Sequence, residues 1–497
     1  MRTIAVDTHA IKGNHIKAFR KCVGSGRAQE GLFAEHQRQL AIAAKECGFQ
    51  YLRCHGLLCD DMRVYWVDDD GQPQYNWQYI DLVYDYILKI GMKPFVELSF
   101  MPAALASGPE TIFWWKGNVT PPNSYEKWEE LIYRLVTHFT QRYGEEEVEQ
   151  WYFEVWNEPN LSGFFTGTMD EYFKLYQVTV RAIKGVNSRY RVGGPATAGI
   201  GWIEEFIDFC VKNSVPIDFI STHTYGVIGH LDEFGKQRLY LDPNPDSVTA
   251  DVRKVYEQVK ASKLPDLEIH FTEWSTSYSP RDPVHDAYHS AAFILDKLKA
   301  CESYADSMSY WVFTDIFEEP GPPSSHFHGG FGLMNTQGLK KPAYFAYSFL
   351  NQLGDVELNC ADNRAWACKS DNGVQVLLWD YTHAQQDAPN QVYYTRDLPS
   401  VSLDPVTLRI TGLDAGIYTL TVSTVGYRQN DVYTRFLEMD CQGTLTPEQV
   451  EALAAECSGK PAITETIHVE AGCDFVRSFP MRTCDVLLVR LDKVDGR

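Results

Sequence analysis

The sequence predicts a (β/α)₈ TIM barrel followed by a β-sandwich. Up to about residue 352, short runs rich in strand-forming residues alternate with longer segments that have the apolar period of a helix. This alternation repeats eight times, which is the number of β/α units that closes a parallel sheet into a barrel. After about residue 355 the pattern changes to short strand-like runs separated by turn residues. A doubly wound open sheet is the structural alternative to the barrel.

The chain of 497 residues is too long for one domain of ordinary size. We therefore assign residues 16–354 to the barrel and residues 355–497 to the sandwich. Residues 1–15 precede the first barrel strand and can add a strand to the sandwich.

Most of the eight predicted barrel strands are continuous apolar or aromatic runs, as expected for parallel strands that are buried on both faces. They are residues 21–24, 51–56, 93–100, 151–159, 191–197, 218–225, 268–275 and 307–315.

The segments between these strands have helical patterns. In residues 125–143 the apolar side chains recur with a period of 3.6, and Gly144 follows as a stop signal. Residues 76–90 show the same pattern and end before Gly91.

Four strand-like runs support the sandwich, namely residues 374–379, 407–410, 416–422 and 486–491. One helix is predicted to interrupt them at residues 446–457. Thr446 supplies its N-cap, Pro447 its first helical position and Gln449 the third.

The charge and the cysteines exclude several classes of function. A net charge of −21 repels phosphate backbones and anionic lipids, so we expect no nucleic-acid partner and no membrane partner. The 12 cysteines form no Cys-x-x-Cys pair, and Cys54 and Cys59 lack zinc-site spacing. We expect reduced thiols, no metal and no cofactor. The first residues contain no apolar signal core, which predicts a cytoplasmic protein.

Two glutamates mark the predicted mouth of the barrel. The fourth strand ends in Trp156-Asn157-Glu158-Pro159, and the end of the seventh contains Phe271-Thr272-Glu273-Trp274. Active sites of such barrels lie at the carboxyl ends of the strands. Cleavage of a glycosidic bond requires two carboxyl groups at one site. One glutamate at a strand end is an ordinary solvated rim acid, but two of them, one beside an asparagine amide, favour catalysis.

Several segments resemble glycoside hydrolase family 39, a family of retaining enzymes that contains β-xylosidases and α-L-iduronidases. The resemblance covers essentially the whole predicted barrel, and the β-xylosidase branch also carries a C-terminal sandwich. It is carried by residues 21–28, 54–61, 115–118, 154–161, 271–280 and 317–332.

The resemblance implies a double displacement in which Glu158 is the acid/base and Glu273 is the nucleophile. Retention requires the two carboxyl groups to lie about 5–5.5 Å apart. Two like charges at that distance should raise the pKa of Glu158 and keep it protonated.

Further residues are candidates for contact with the sugar. Asn157 can bind a sugar hydroxyl, Trp311 can stack under the ring, and Tyr278 can donate a hydroxyl near Glu273. Arg53 has two alternatives, to pair with Glu273 or with Glu154. The remaining candidates, on the second and sixth strands and the loop after the eighth, are His55, His223, Tyr225, Phe317, Glu318 and Glu319.

The predicted substrate is a neutral pentoside. Glu318 and Glu319 would grip sugar hydroxyls but repel a substrate carboxylate, which argues against an iduronide. We therefore predict an exo-acting β-xylosidase that releases xylose from the non-reducing ends of short xylo-oligosaccharides. Ser275 departs from the asparagine of the family motif, so an arabinoside, a glucoside or an iduronide stays open as the alternative substrate.

Two further expectations follow. Barrel hydrolases with an appended sandwich often self-associate, so we expect a homo-oligomer. The alternative to an enzyme is a carbohydrate-binding protein on a hydrolase scaffold, although such a decayed site usually loses one glutamate.

Overall fold

The eightfold alternation forms a closed parallel barrel in the computed structural model, which describes residues 2–439 and 443–494. Each strand pairs in parallel with the next, and the eighth pairs with the first. In chain order the strands β1–β8 are Cys22–Arg27, Tyr51–His55, Lys93–Leu98, Tyr152–Val155, Arg191–Thr197, Phe219–Tyr225, Glu268–Ser275 and Ser307–Tyr310. The predicted barrel is confirmed, and the open sheet is excluded.

One major helix follows each strand. In chain order the helices α1–α8 are Ala34–Cys47, Gln78–Lys89, Tyr125–Tyr143, Met169–Val186, Ile203–Asn213, Ser247–Ala261, His289–Cys301 and Pro342–Asn351. Helix α3 has the predicted bounds, because the Ser124 side chain accepts a hydrogen bond from Lys127 N at its start and Gly144 adopts a φ of 88° at its end.

The loops also contain short hairpins, 3₁₀ turns and short helices. Short hairpins pair Tyr65–Val67 with Pro73–Tyr75, Thr111–Ile112 with Gly117–Asn118, and Val227–Leu231 with Gln237–Leu241. The 3₁₀ turns are Ala18–Arg20, Ala28–Leu32, Asp60–Met62, Ala103–Leu105, Ala198–Ile200 and Pro283–His285, and the short helices are Glu145–Val148, Asn390–Tyr393, Val432–Glu438 and Pro447–Glu456.

The barrel interior consists of an aromatic layer, which includes the buried ring of His270, below a charged layer. Near the amino ends of the strands the rings of Phe95 and Tyr152 stack with centroids 4.9 Å apart, and Phe219 packs edge-on against both. Glu97 and Glu154 come two residues later on the same strands, so their buried side chains also point inward. The polar groups of the interior are thereby concentrated toward the carboxyl ends of the strands.

Three strands end at least two residues earlier than the sequence pattern predicts. β3 ends at Leu98, β4 at Val155 and β8 at Tyr310. At the end of β4, Trp156 and Glu158 adopt φ angles of 72° and 45°, which an extended strand cannot contain. The functional residues after β4 and β8 therefore lie in the loops that follow the strands.

Two sheets stack beside the barrel. The larger sheet contains, in spatial order, Ile11–Asn14, Val356–Leu358, Ala365–Ser370, Gly373–Trp379, Val486–Lys493, Gly416–Val425 and Ile463–Val469. The smaller sheet contains Arg2–Asp7, Ser402–Thr411 and Phe475–Arg482. The N-terminal residues therefore supply one strand to each sheet, whereas the exact domain boundaries stay a prediction.

The chain has two further global properties. Within residues 2–439 and 443–494, no helix combines the length and the apolar character that crossing a bilayer requires. The 11 cysteines in these ranges are all free thiols.

Candidate active site

A cavity of about 490 Å³ opens at the carboxyl ends of the barrel strands. It contains both predicted catalytic glutamates. Its lining residues are His55, Asn157, Glu158, Leu161, Phe164, Ala198, Gly199, Thr224, Tyr225, Val227, Asp251, Glu273, Tyr278, Trp311, Glu319 and Phe331.

The turn after β4 presents Glu158 to this cavity. The left-handed φ of Glu158 is stabilised by hydrogen bonds from Glu158 N to Ala196 O (2.8 Å) and from Leu161 N to Glu158 O (3.0 Å). Side chains in such a conformation cluster at functional sites, where the surrounding structure holds them. Asn160 fastens the turn further, because its Nδ2 donates to Ala198 O and its Oδ1 accepts from Ala198 N.

Burial sets the protonation of Glu158. The side chain is nearly inaccessible, and burial raises its pKa to about 7, against the opposing charges of His55 and Arg53. The predicted rise in the pKa of Glu158 is confirmed. The leading cause differs from the prediction, because it is removal from water rather than the negative charge of Glu273.

Glu273 lies near the carboxyl end of β7, and each of its carboxylate oxygens accepts a hydrogen bond. Arg53 Nη1 donates to Oε1 over 2.8 Å, and the Tyr225 hydroxyl donates to Oε2 over 2.7 Å. One carboxylate oxygen of Glu158 and one of Glu273 lie within 4.8 Å of each other. The two carboxyl groups therefore face each other across a gap that one sugar carbon can occupy.

Arg53 is fully buried and uses its whole guanidinium group. Besides Glu273 it contacts Glu154 (Nε to Oε2, 2.6 Å), Glu97 (Nη2 to Oε2, 2.8 Å) and Asn157 (Nη2 to Oδ1, 2.9 Å). Both alternatives for Arg53 are therefore realised together. A cation surrounded by three carboxylates fixes their positions, because a buried charge without a partner is costly.

His55 extends this network toward the cavity. Its Nδ1 lies 2.7 Å from Glu97 Oε2, and its Nε2 lies 3.5 Å from Glu273 Oε1 and 3.7 Å from Glu319 Oε1. Its ring packs against Trp311 with centroids 4.6 Å apart. The structure thus brings His55 to the cavity, as predicted.

His223, on β6, lies between the two catalytic candidates. Its Nδ1 lies 2.9 Å from Glu158 Oε1 and 3.5 Å from Glu273 Oε2. Burial lowers the pKa of His223 to about 4, so the imidazole is neutral near pH 7. Its Nε2 is buried and has no hydrogen-bond partner among the described residues. His223 therefore contacts Glu158 and Glu273 but does not itself line the cavity.

Trp311 forms the floor of the cavity, and its ring needs the space above Gly24. A Cβ atom at Gly24 would lie 2.4 Å from Trp311 Cε3. On its other side Trp311 meets the ring of Phe317, which packs in turn against Phe331. The predicted contact of Phe317 with the sugar is wrong, because Phe317 packs edge-on against Trp311 without lining the cavity, whereas Phe331 lines it.

The two acids of the last loop have different positions. Glu318 is bound by Arg27 Nη2 over 2.6 Å, and its backbone N donates to Glu30, so Glu318 does not line the cavity. Glu319 does line it, and burial together with the charges of Glu273 and Glu158 raises the pKa of Glu319 well above its usual range. Glu319 therefore lies where a sugar contact is possible, and that contact stays a prediction, whereas Glu318 anchors the loop.

Tyr278 lines the outer cavity, but its hydroxyl accepts a hydrogen bond from Gln237 Nε2 over 2.8 Å. The hydroxyl donor to Glu273 is Tyr225 instead. The rings of Tyr225 and Tyr278 pack edge to face with centroids 6.2 Å apart. Both tyrosines lie at or just after the end of a barrel strand, so the sequence did not show which hydroxyl reaches Glu273.

Sequence reasoning missed part of the lining. Leu161 and Phe331 lie inside segments that carried the family resemblance, which was the available signal for both. The other missed residues lie on loops whose sequence has no periodic pattern or are polar residues without a motif. They are Phe164, Ala198, Gly199, Thr224, Val227 and Asp251.

Glu158, His223 and Glu273 offer one ligand atom each within 4.8 Å of one another, a spacing that can hold a metal ion. The fold thus assembles a group that the sequence spacing did not reveal. Its hydrogen bonding does not fit a cation site well, because both oxygens of Glu273 already accept hydrogen bonds from Arg53 and Tyr225. The nearby guanidinium charge further opposes a metal cation.

Comparisons with known proteins identify the family of this chain. The family described as glycosyl hydrolases family 39 matches residues 2–467. A β-xylosidase of Geobacillus stearothermophilus is 44% identical over 373 residues, covering 73% of this chain and 74% of that protein. A β-xylosidase of Caldicellulosiruptor saccharolyticus is 49% identical over 340 residues, covering 68% and 69%. The crystal structure of a monomeric β-xylosidase from Caulobacter crescentus CB15 superposes with a TM-score of 0.96 at 43% identity, covering 99% of this chain and 100% of that one.

Proposed function

Because this chain belongs to glycosyl hydrolase family 39, we propose that it is a retaining β-xylosidase that releases xylose from the non-reducing ends of short xylo-oligosaccharides. The observation that carries the proposal is the pair of facing carboxyl groups, of which Glu158 has its pKa raised to about 7 and Glu273 is held by Arg53 and Tyr225. One group is thus suited to donate a proton and the other to attack.

In the first step, Glu273 attacks the anomeric carbon while the glycosidic C–O bond breaks. Glu158 donates its proton to the departing oxygen, and a covalent xylosyl ester remains on Glu273. In the second step, Glu158 accepts a proton from water as the water oxygen attacks the same carbon, which breaks the ester and restores both groups. The separation within 4.8 Å supports this route, since inverting enzymes need roughly 6.5–9.5 Å to place a water.

The lining of the cavity supports a neutral sugar. Asn157 accepts from Arg53 through Oδ1, which leaves its amide nitrogen to donate to a sugar hydroxyl. Glu319 supplies a further polar group, and Trp311 offers a ring face. None of the lining side chains in the described parts of the chain is Lys or Arg, so a substrate carboxylate would lack a cation partner.

The loops support exo action. Trp114 N, in the loop after β3, donates to Glu319 O over 2.8 Å, and the Trp114 ring lies against Gly321. Two rim loops that are separated by β1 and β2 thereby meet at Glu319, which lines the cavity. A closed end of this kind accommodates a terminal sugar better than an internal one.

The test is hydrolysis of p-nitrophenyl β-D-xyloside by the wild type and by Glu273→Ala, with and without azide. We expect the variant to lose activity by at least about 10⁴-fold and azide to restore turnover as the α-xylosyl azide, the inverted product of direct displacement. Glu268→Ala, at the opposite end of β7, is the matched control and should keep most of the wild-type rate.

Each other outcome is informative. A Glu273→Ala variant with most of its activity would reject Glu273 as the nucleophile. A wild type that ignores the xyloside but cleaves an arabinoside, glucoside or iduronide would reject the specificity and retain the hydrolase. A protein that binds but cleaves none of them would be a carbohydrate-binding protein.

Self-association and a cytoplasmic location stay predictions from the sequence. The Caulobacter relative is described as monomeric, so analytical ultracentrifugation of this chain at micromolar concentration decides between a monomer and the expected homo-oligomer.

A further inference from the structure

The cavity has two chemically different halves. The order of strands around the barrel determines which residues line each half. β4, β5 and β6 lie opposite β8, β1 and β2. Glu158 stands at the end of β4, whereas Trp311 follows β8. Since the acid protonates the departing oxygen, the leaving group must extend toward the β4–β6 side and the sugar must lie toward Trp311.

The sugar half is lined by groups that bind hydroxyls. His55, Glu273 and Glu319 place an imidazole and two carboxyl groups there. Asn157 follows β4, but its amide is turned toward Arg53 of β2 and adds a further polar group. Such groups are the usual partners of sugar hydroxyls, and Trp311 adds one ring face.

The leaving-group half is lined mainly by apolar groups. Leu161 and Phe164 come from the loop after β4, Ala198 and Gly199 from the loop after β5, and Val227 from the hairpin after β6. We propose that this half is a leaving-group site for an apolar aryl or alkyl aglycone, so that β-xylosides of such alcohols are cleaved more efficiently than those whose leaving group is a second sugar. The proposal rests on the proposed function and names the substrate class of the same site.

Two hydroxyl groups of this half already take part in hydrogen bonds within the protein. The Thr224 hydroxyl donates to Asp251 over 2.7 Å, and the Tyr278 hydroxyl accepts from Gln237. A second sugar ring would bury several hydroxyls against carbon atoms, and a buried hydroxyl without a partner is unfavourable. An apolar aglycone meets no such cost.

The apolar surface of this half is held in place. The ring of Phe164 packs against Phe113 with centroids 5.5 Å apart, and Phe164 O accepts from Trp156 Nε1 over 2.8 Å. Leu161, by contrast, is 41% exposed at the cavity wall. An apolar aglycone that covers Leu161 would remove this surface from water, which favours its binding.

The test compares methyl and n-hexyl β-D-xyloside, whose leaving alcohols have nearly equal acidity and differ in apolar length. We expect kcat/KM of the wild type to rise at least about tenfold from methyl to hexyl, because part of the added chain is buried. Xylobiose should gain less over the methyl xyloside than the hexyl xyloside does. A hexyl-to-methyl ratio below about twofold, or a larger gain for xylobiose, would overturn the proposal.

Variants locate the effect. Leu161→Gln should lower the hexyl-to-methyl ratio to less than about threefold. Leu82→Gln, in α2 and 56% exposed, is the matched control and should leave the ratio unchanged. The nearly isosteric Val227→Thr should also lower the ratio, so the proposal stays testable if Leu161→Gln folds poorly. Wild-type ratios in both cavity variants would contradict it.

Failure of the proposed function can be told apart from failure of this inference. If neither xyloside is hydrolysed, the proposed function fails. The same methyl and hexyl pair is then measured with the sugar that the enzyme does cleave, which tests the leaving-group site separately.

Discussion

The Nδ1 atom of His223 lies 2.9 Å from Oε1 of Glu158. The same nitrogen is 3.5 Å from Glu273 Oε2. A neutral imidazole has one N–H, and burial keeps His223 neutral by lowering its pKa to about 4. In a double displacement only one of the two glutamates is negatively charged at each resting stage. An N–H at Nδ1 can therefore serve Glu273 in the free enzyme and Glu158 in the covalent intermediate.

We expect His223→Ala to lower kcat/KM about 10- to 100-fold, the usual value of one hydrogen bond to a charged group. His223→Asn, whose amide can still donate, should recover part of that loss. Steady-state kinetics with p-nitrophenyl β-D-xyloside measures both. Equal activity of the alanine variant and the wild type would show that the contact with Glu158 has no catalytic role.

The raised pKa of Glu158 predicts the alkaline side of the pH profile. Burial favours the neutral acid, so the proton-donating form predominates below a pKa of about 7 and is lost as the pH rises through that value. kcat/KM for an alkyl xyloside should therefore fall above about pH 7. Glu158→Ala, assayed with 2,4-dinitrophenyl β-D-xyloside, should lose this limb because its leaving group needs no proton. A limb that survives in this variant belongs to another group, such as Glu319.

Tyr225 and Tyr278 provide a matched pair of variants. Tyr225→Phe removes the hydroxyl that donates to Glu273 Oε2, so we expect kcat/KM to fall about 10- to 100-fold. Tyr278→Phe removes a hydroxyl that contacts Gln237 and should cost far less. Equal losses measured with p-nitrophenyl β-D-xyloside would contradict the assignment of Tyr225 as the partner of the nucleophile.

Gly24→Ala tests the position of the Trp311 ring. The added methyl group would meet Trp311 Cε3 at 2.4 Å, so the ring must move. We expect about 1–3 kcal/mol less unfolding free energy and about tenfold lower kcat/KM. Gly185→Ala, near the end of α4, is the control. Its new methyl would find Tyr133 no closer than 3.8 Å, and we expect about 0.5–1 kcal/mol more stability. Urea unfolding measures both changes.

Chelation tests whether the group of Glu158, His223 and Glu273 binds a metal. Because Glu273 already accepts hydrogen bonds from Arg53 and Tyr225, we expect EDTA dialysis to leave kcat unchanged. Activity that is lost on dialysis and restored by Zn²⁺ or Mn²⁺ would show that the proposed mechanism lacks a component.

The sequence was sufficient for the features that local pattern determines. The eight buried runs predict the barrel, and the string around Glu158 together with Glu273 predicts the paired carboxyl groups at its mouth. The positions at which strands end were harder to predict from the sequence, because the turn at Trp156 and Glu158 depends on contacts with Ala196 and the loop after β5. Local pattern cannot show such long-range contacts.

The same limit applies to side-chain partners. Tyr225 and Tyr278 are equally plausible donors in sequence, and only the fold distinguishes them. Glu318 and Glu319 are adjacent, yet Arg27 holds one of them outside the cavity while the other lines it. The network of Arg53 joins four strands and the loop after β4, so its full set of partners depends on the closed barrel.

The strand Arg2–Asp7 pairs in parallel with Ser402–Thr411, and Arg2 is opposite Val406. During synthesis on the ribosome the first strand therefore emerges long before its partner, by about 20–80 seconds at typical elongation rates. Over that interval the entire barrel is translated and can begin to fold, whereas the two sheets cannot form until their C-terminal strands have been made. The last part of the molecule to assemble thus contains residues that are made before the barrel, and changes to the strand Arg2–Asp7 would disturb a late folding event rather than the barrel.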